Sequence, residues 1–242
     1  MADDDHVKDI AIYKAALGDK WASVSKLFKD NPSLMTKRIT QVGEMPLHIA
    51  VGTNSSHSFV DELVKDIVAR GENHMLFKGN KYGNNPLHFA AMVGNMHATK
   101  LLLKHNPDKT QTRVRNKDGN MPLQLAAWHG NKETLEFLLK ETPDLLPDEE
   151  GVGPYSGVAG GDLITRTIMA GFYDVALDII EKHPDIVFLK DSSKKSPKTA
   201  LEILAQKPES FASGRRLGLW GSFIYSLIPV KNDEGTTDHS KV

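Results

Sequence analysis

The 242-residue chain contains no cysteine. Disulfides, thiolate metal sites and a Cys–His nucleophile are therefore excluded, and a reducing compartment is expected, so we predict a cytoplasmic location. The formal net charge is -1 and there is no long basic run, so we expect no nucleic-acid partner. The amino-terminal residues Met-Ala-Asp-Asp-Asp-His lack the apolar stretch of a signal peptide. No apolar run reaches the roughly 20 residues that a transmembrane helix needs.

No catalytic or metal-binding constellation stands out either. The histidines are scattered, and no His-Glu-x-x-His pattern occurs. His97 and His105 would lie about 12 Å apart on one helix, too far to share a metal ion. Asp148, Glu149 and Glu150 form a carboxylate cluster that we interpret as solvated. The sequence thus predicts a protein that is not an enzyme and that has no cofactor and no metal.

One stretch carries the clearest pattern, Gly83-Asn-Asn-Pro86-Leu-His-Phe-Ala-Ala-Met-Val-Gly94. Proline is tolerated in the first turn of a helix, where it costs no hydrogen bond. A glycine can end a helix in the left-handed conformation, as we expect of Gly94. A second, leucine-rich helix should follow and stop at Pro107. The stretch therefore predicts two short helices joined by a tight reversal.

The same pattern returns 36 residues later as Gly119-Asn-Met-Pro122-Leu-Gln-Leu-Ala-Ala-Trp-His-Gly130. The second helix of this copy should stop at Pro143. A helix pair of this size cannot bury its apolar faces alone, and stacking of neighbouring copies solves that problem. We predict an all-α solenoid.

Weaker copies flank these two. The interval from Gly171 to Pro184 equals that from Gly94 to Pro107, and in the first copy Gly18 should take the place of Gly94. The array over residues 1–210 then has about five to six helix-turn-helix units with short turn tips. The predicted units lie near 7–39, which forms an amino-terminal cap, and near 40–80, 81–116, 117–150, 160–190 and, in part, 196–210.

A first irregular stretch, Leu145–Gly161, is rich in glycine and proline. The Gly151-x-Gly153 pattern within it is followed by Pro154, is not preceded by a strand and has no Gly-Lys-Ser/Thr. We predict a long loop between repeats. A nucleotide or small-ligand site at Gly151–Gly161 is the alternative.

A second irregular segment, residues 211–230, is the most apolar part of the chain. Its core from Leu217 to Val230 would span only about 21 Å as a helix. It either caps the array, with Trp220, Phe223 and Ile224 on the open end, or lies at a membrane interface or partner groove, with Arg215 and Arg216 near lipid headgroups. Residues 231–242 are polar and predicted to be disordered.

The pattern Pro-Leu-His-x-Ala-Ala-x-x-Gly resembles ankyrin repeats, which implies an ankyrin-type solenoid with hydrogen bonds between neighbouring turns. The threonine that usually precedes the proline is replaced by Met45, Asn85 and Met121, and Gln124 stands where histidine is usual. These departures predict weaker bonds between turns.

A narrower resemblance lies in Leu163-Ile-x-x-Thr-Ile-x-Ala-Gly171, Thr199-Ala-Leu-Glu-Ile-Leu-Ala and Gly-x-x-Leu-x-x-Trp220. These stretches are similar to plant ankyrin proteins whose longer members end in a Pro-Gly-Gly motif and several membrane helices, and which are implicated in defence and stress signalling at the plasma membrane. This chain has neither feature. The resemblance implies the soluble part of such a protein, as a short member or a truncated form. A membrane-proximal regulatory module at the cytoplasmic face of a membrane is therefore an alternative to a free scaffold.

Binding of other proteins is the predicted function. The turn tips and the exposed sides of the first helices should form a continuous concave surface. Trp128 could either lie on it or pack against a neighbouring repeat. The predicted surface residues are Lys81, Tyr82, Asn84, Met92, Val93, Lys117, Asp118, Asn120, Trp128 and His129.

Overall fold

The computed structural model describes residues 2–54, 57–143 and 153–207. Within these ranges the protein is all-α, with eleven α-helices and no strand. The helices are α1 (Ala2–Leu17), α2 (Trp21–Asp30), α3 (Pro46–Val51), α4 (His57–Ala69), α5 (Pro86–Val93), α6 (Met96–Lys104), α7 (Pro122–Trp128), α8 (Lys132–Glu141), α9 (Gly157–Met169), α10 (Tyr173–Lys182) and α11 (Ala200–Ala205). Short 3₁₀-helices occur at Pro32–Met35, Asn73–Phe77, Thr110–Thr112 and Pro184–Phe188.

The helices form two rows. The first helices of the units, α1, α3, α5, α7, α9 and α11, pack side by side in sequence order. Each of α1, α3, α5, α7 and α9 also packs against the helix that follows it. The predicted helical solenoid is confirmed.

Proline and glycine set the helix ends in the central units. Pro46, Pro86 and Pro122 are the first residues of α3, α5 and α7. Gly94, with φ of 72°, ends α5 in the left-handed conformation, as expected. These short first helices bury alanines, which let adjacent helices approach closely: Ala50, Ala90, Ala91, Ala126 and Ala127 are fully buried.

The first unit uses a different residue at its reversal. The left-handed position is Asp19, with φ of 54°, so the assignment of Gly18 to this role is wrong. Aspartate tolerates this conformation better than most residues. Its carboxylate also accepts a hydrogen bond from the backbone N–H of Phe59 at 2.6 Å, which caps the start of α4. The side chain thereby compensates for the strained backbone.

The fifth unit begins earlier than the glycines suggest. Helix α9 starts at Gly157, so the predicted loop is wrong for residues 157–161. A Cβ atom on Gly160 would lie 2.6 Å from the carbonyl carbon of Tyr155, and one on Gly161 would overlap the carbonyl oxygen of Lys190. These two glycines permit close packing of backbone on backbone.

None of the described helices has both the length and the apolar character needed to cross a membrane. The predictions for residues 211–230, with Arg215, Arg216, Trp220, Phe223 and Ile224, and for residues 231–242 lie outside the described residues, as do Gly151 and the carboxylates Asp148, Glu149 and Glu150.

Candidate protein-binding surface

A ladder of hydrogen bonds joins the turns of successive units. The Nε2 atom of His48 donates to the carbonyl oxygen of Asn84 at 3.2 Å, and Nδ1 accepts from the backbone N–H of Met45. His88 repeats the bond one unit later, to the carbonyl oxygen of Asn120 at 3.1 Å.

Gln124 extends this ladder to the first turn of helix α9. Its Nε2 atom donates to the carbonyl oxygen of Ala159 at 2.6 Å, and its Oε1 atom accepts from the backbone N–H of Met121 at 2.7 Å. The linking bonds are therefore present without the threonine, because they end on backbone carbonyls.

The histidines of the ladder are structural. Burial lowers the pKa of both His48 and His88 to about 4, so the rings are neutral near pH 7. A neutral ring with its proton on Nε2 is the form that can donate to a carbonyl. The residues that the structure describes contain no group of three His, Asp or Glu side chains arranged to hold a metal ion.

A second ladder caps the ends of the first helices. The side-chain amide of Asn95 donates to the carbonyl oxygens of Val51 and Thr53 at the end of α3. Asn131 does the same for α5, at Ala91 and Met92. Each asparagine follows the left-handed glycine of its unit. The reversal of the chain therefore places the asparagine side chain next to the helix end of the previous unit.

In the sixth unit, a lysine makes the equivalent bonds to the end of the preceding first helix. The ammonium group of Lys207 donates to the carbonyl oxygens of Ile168 at 3.4 Å and Met169 at 2.7 Å, at the end of α9.

The two ladders hold the predicted surface residues at fixed positions. The turn tips bond edge to edge, since the backbone N–H of Lys117 donates to the carbonyl oxygen of Tyr82 at 2.9 Å. The Tyr82 side chain is 55% exposed, and those of Lys81, Lys117 and Asp118 are also exposed. Asn84 differs from them because its Oδ1 accepts from Asn116 at 2.8 Å, which gives it a connecting role.

The first helices present the other half of the surface. Trp128, the last residue of α7, is 62% exposed, and the adjacent His129 is exposed as well. Met92 and Val93, at the end of α5, are half-buried. The exposed aromatic ring is therefore the largest apolar group on this part of the face.

Arg166 of α9 braces that ring and was missed by the sequence analysis. Its guanidinium lies 4.2 Å from the centre of the Trp128 ring. It also donates to Asn120 Oδ1 at 2.6 Å and to Asp162 Oδ2 at 3.3 Å, and its side chain is only 8% exposed. Burial lowers the pKa of Arg166, against the opposing effect of Asp162. The guanidinium still remains charged, because arginine does not lose its proton in proteins.

The spacing of each repeat relative to its reversal glycine identifies the position of Arg166. Phe89, Leu125 and Arg166 each precede the reversal glycine of their unit by five residues. Phe89, also missed, packs edge-on against His48 with 5.5 Å between ring centres. The fifth unit thus places a cation at a position where the third and fourth units carry apolar side chains.

These features define a helical repeat protein whose turn tips and first helices expose two aromatic rings, those of Tyr82 and Trp128. A family model described as ankyrin repeats (3 copies) matches residues 11–113 and 47–147, which is more than half of the chain. The chain belongs to the ankyrin-repeat family, whose members bind other proteins and are typically non-catalytic. A search of the curated proteins gave no match.

Proposed function

We propose that this protein is a non-catalytic scaffold that binds a partner protein on its concave face, with Trp128 as the central contact. The observation that carries the proposal is a ring 62% exposed to solvent yet held against Arg166 at 4.2 Å. A large side chain that is already ordered loses little conformational entropy when a partner covers it. Tryptophan is also among the residues most enriched at energetic centres of interfaces.

The turn tips extend the proposed interface. Tyr82 adds a second exposed aromatic ring one unit away, and Lys81, Lys117, Asp118 and Asn120 would supply polar contacts around the two rings. Met92 and Val93, at the end of α5, and His129, directly after α7, would complete the contact area. Asn84 would act mainly by fixing the tips, and Asn120 would do so in addition to contacting the partner, since both are tied to neighbouring units.

Proximity labelling in cells that express the protein tests this proposal. The intact chain is compared with Trp128→Ala and with Lys104→Ala, a matched change of an exposed residue on the second helix α6. We expect at least one protein whose labelling falls about tenfold with Trp128→Ala and is unchanged with Lys104→Ala. If Trp128→Ala reduced the labelling of none of the proteins, the result would contradict the proposal.

The resemblance of the fifth and sixth units to plant ankyrin proteins supports a finer proposal, a role in defence or stress signalling within the cytoplasm. The rival membrane-proximal form of the protein depends on residues 214–230, and flotation with liposomes, with and without those residues, tests it.

A nucleotide or small ligand at Gly151–Gly161 is less favoured, because Gly160 and Gly161 are occupied by backbone packing. An increase in melting temperature on addition of a nucleotide would support a ligand site there.

A further inference from the structure

Helix α11 has the register of a first helix. Thr199 caps it as part of a capping box, with its backbone N–H donating to Glu202 Oε2 at 2.7 Å. Leu201 is then the second residue of the helix, as Leu47, Leu87 and Leu123 are in α3, α5 and α7. Those three leucines are fully buried, whereas Leu201 is 47% exposed.

The difference follows from what packs on each helix. Helices α3, α5 and α7 each pack against the second helix of their own unit. The described residues end at Lys207 and include no such helix for α11. A leucine at this position therefore lacks the cover that the fold provides in the other units.

The side chain of Phe188 is a second exposed apolar group. Phe188 ends the 3₁₀-helix Pro184–Phe188 and is 65% exposed. Phe77 ends the equivalent 3₁₀-helix Asn73–Phe77 and is partly buried against the core. The fifth and sixth units thus leave Phe188 and Leu201 exposed.

The spacing of the repeat identifies what should cover them. The second helices α4, α6 and α8 begin nine or ten residues after Leu47, Leu87 and Leu123. The same count from Leu201 reaches residues 210–211, where the apolar segment 211–230 begins. The bonds from Lys207 to the end of α9 fix the point from which this segment departs.

We propose that residues 211–230 supply the second half of a sixth unit and cover Leu201 and Phe188. The segment contains the large apolar residues that such a cover requires, including Trp220, Phe223 and Ile224. Terminal units of repeat arrays must close the end of the core in this way. The proposal rests on the repeat register and is independent of the partner bound by the concave face.

The absence of native cysteine permits a direct test. A single thiol is introduced by Leu201→Cys in the full chain, and its rate of reaction with a thiol reagent is compared between native and urea-unfolded protein. The control is Val7→Cys, at a site 60% exposed at the opposite end of the array. We expect the native fold to slow the reaction at position 201 by about tenfold or more, and that at position 7 much less.

The dependence on the segment is tested by adding Trp220→Asp and Phe223→Asp to each single-cysteine chain. Protection at position 201 should disappear, while the rate at position 7 stays the same. The first comparison leaves residues 211–230 unaltered, so it stands even if the aspartates disturb folding.

Four outcomes overturn the proposal. The first is equal protection at positions 201 and 7 in the full chain, and the second is protection at position 201 that survives the two aspartates in a folded chain. Protection that rises with protein concentration would assign the exposed face to a second copy. Protection that requires anionic phospholipid vesicles would assign the segment to a membrane interface.

Discussion

The guanidinium of Arg166 lies 4.2 Å from the centre of the Trp128 ring and so joins the fourth unit to the fifth. Arg166 is itself held by Asn120 and Asp162. Because Asp162 also accepts from the backbone N–H of Ser192 at 2.8 Å, the network continues into the loop before α11. An exposed ring is thereby fixed by buried polar groups.

Trp128→Ala should change the free energy of unfolding only slightly. The ring is mostly in water, and its stacking on Arg166 contributes about 1 kcal/mol. Leu102, fully buried in α6, is the contrasting case, for which Leu102→Ala should cost about 2–5 kcal/mol. Urea unfolding of both variants measures the difference. A cost for Trp128→Ala as large as that for Leu102→Ala would mean that Trp128 is a packing residue.

Arg166→Leu should destabilise the fold by about 3 kcal/mol, because it leaves the carboxylate of Asp162 buried without its cation. Adding Asp162→Asn removes that charge and keeps an oxygen that can accept from Ser192. We therefore expect the double variant to be more stable than Arg166→Leu alone. A double-mutant cycle by urea unfolding measures the coupling, and strictly additive costs would show that the pair does not interact.

Stability should fall as the pH drops from 6.5 towards 4. The unfolded chain binds protons at its histidines near pH 6.5, whereas the pKa of His48 and of His88 in the folded protein is about 4. Stabilisation by the neutral rings is complete above pH 6.5. It is lost across this window, by roughly 3 kcal/mol for each histidine. Urea unfolding at a series of pH values measures the loss.

Gln124 provides the control for this effect, since a glutamine makes both ladder bonds at the equivalent position. The double variant His48→Gln, His88→Gln should fold and show a flatter dependence of stability on pH between 6.5 and 4. An unchanged pH profile would assign the titration to other groups.

Asn95→Ala should cost roughly 2 kcal/mol, because it leaves the carbonyl oxygens of Val51 and Thr53 without their donor. Asn95 also accepts from the backbone N–H of Ala98 at 3.0 Å, so two roles must be separated. Asn95→Asp keeps that acceptor but points a carboxylate at the two carbonyls. We expect Asn95→Asp to be at least as destabilising as Asn95→Ala in urea unfolding. Near-native stability of the aspartate variant would show that the cap on α6 is the main role.

Gly161→Ala should destabilise the fifth unit by about 1–3 kcal/mol or more, since the added methyl group overlaps the carbonyl oxygen of Lys190. Gly153→Ala is the matched control, because the nearest atom to its new methyl group would be Ser156 Oγ at 3.8 Å. Thermal unfolding of both variants provides the comparison. Equal melting temperatures would show that the Lys190 loop moves away from α9 at little cost in stability.

The repeat architecture could be predicted from local signals. Pro86 and Pro122 mark helix starts because the ring of proline fixes φ and the missing N–H costs nothing in the first turn. Gly94 marks a reversal because only glycine adopts the left-handed conformation without strain. These constraints act within a few residues of sequence, so the pattern of residue types reports them directly. The first unit shows the limit, since Asp19 adopts the same conformation with help from the N–H of Phe59.

The contacts between units were decided by the tertiary structure. Glycine-rich sequence after Pro154 is typical of a loop, but Gly160 and Gly161 lie in α9, where Gly161 packs against the distant backbone of Lys190 and Gly160 against the side chain of Leu189. Arg166 gains its role from Trp128, Asn120 and Asp162, of which only Asp162 is close in sequence.

The sequence alone therefore determined that the chain is an all-helical repeat protein, but it left open whether Trp128 lies on the surface or packs against a neighbouring repeat. It did not determine that Trp128 is braced or that the turn ladder survives the loss of threonine. Local residue types fix backbone conformation, whereas close packing and paired charges depend on which distant segments the folded chain brings together.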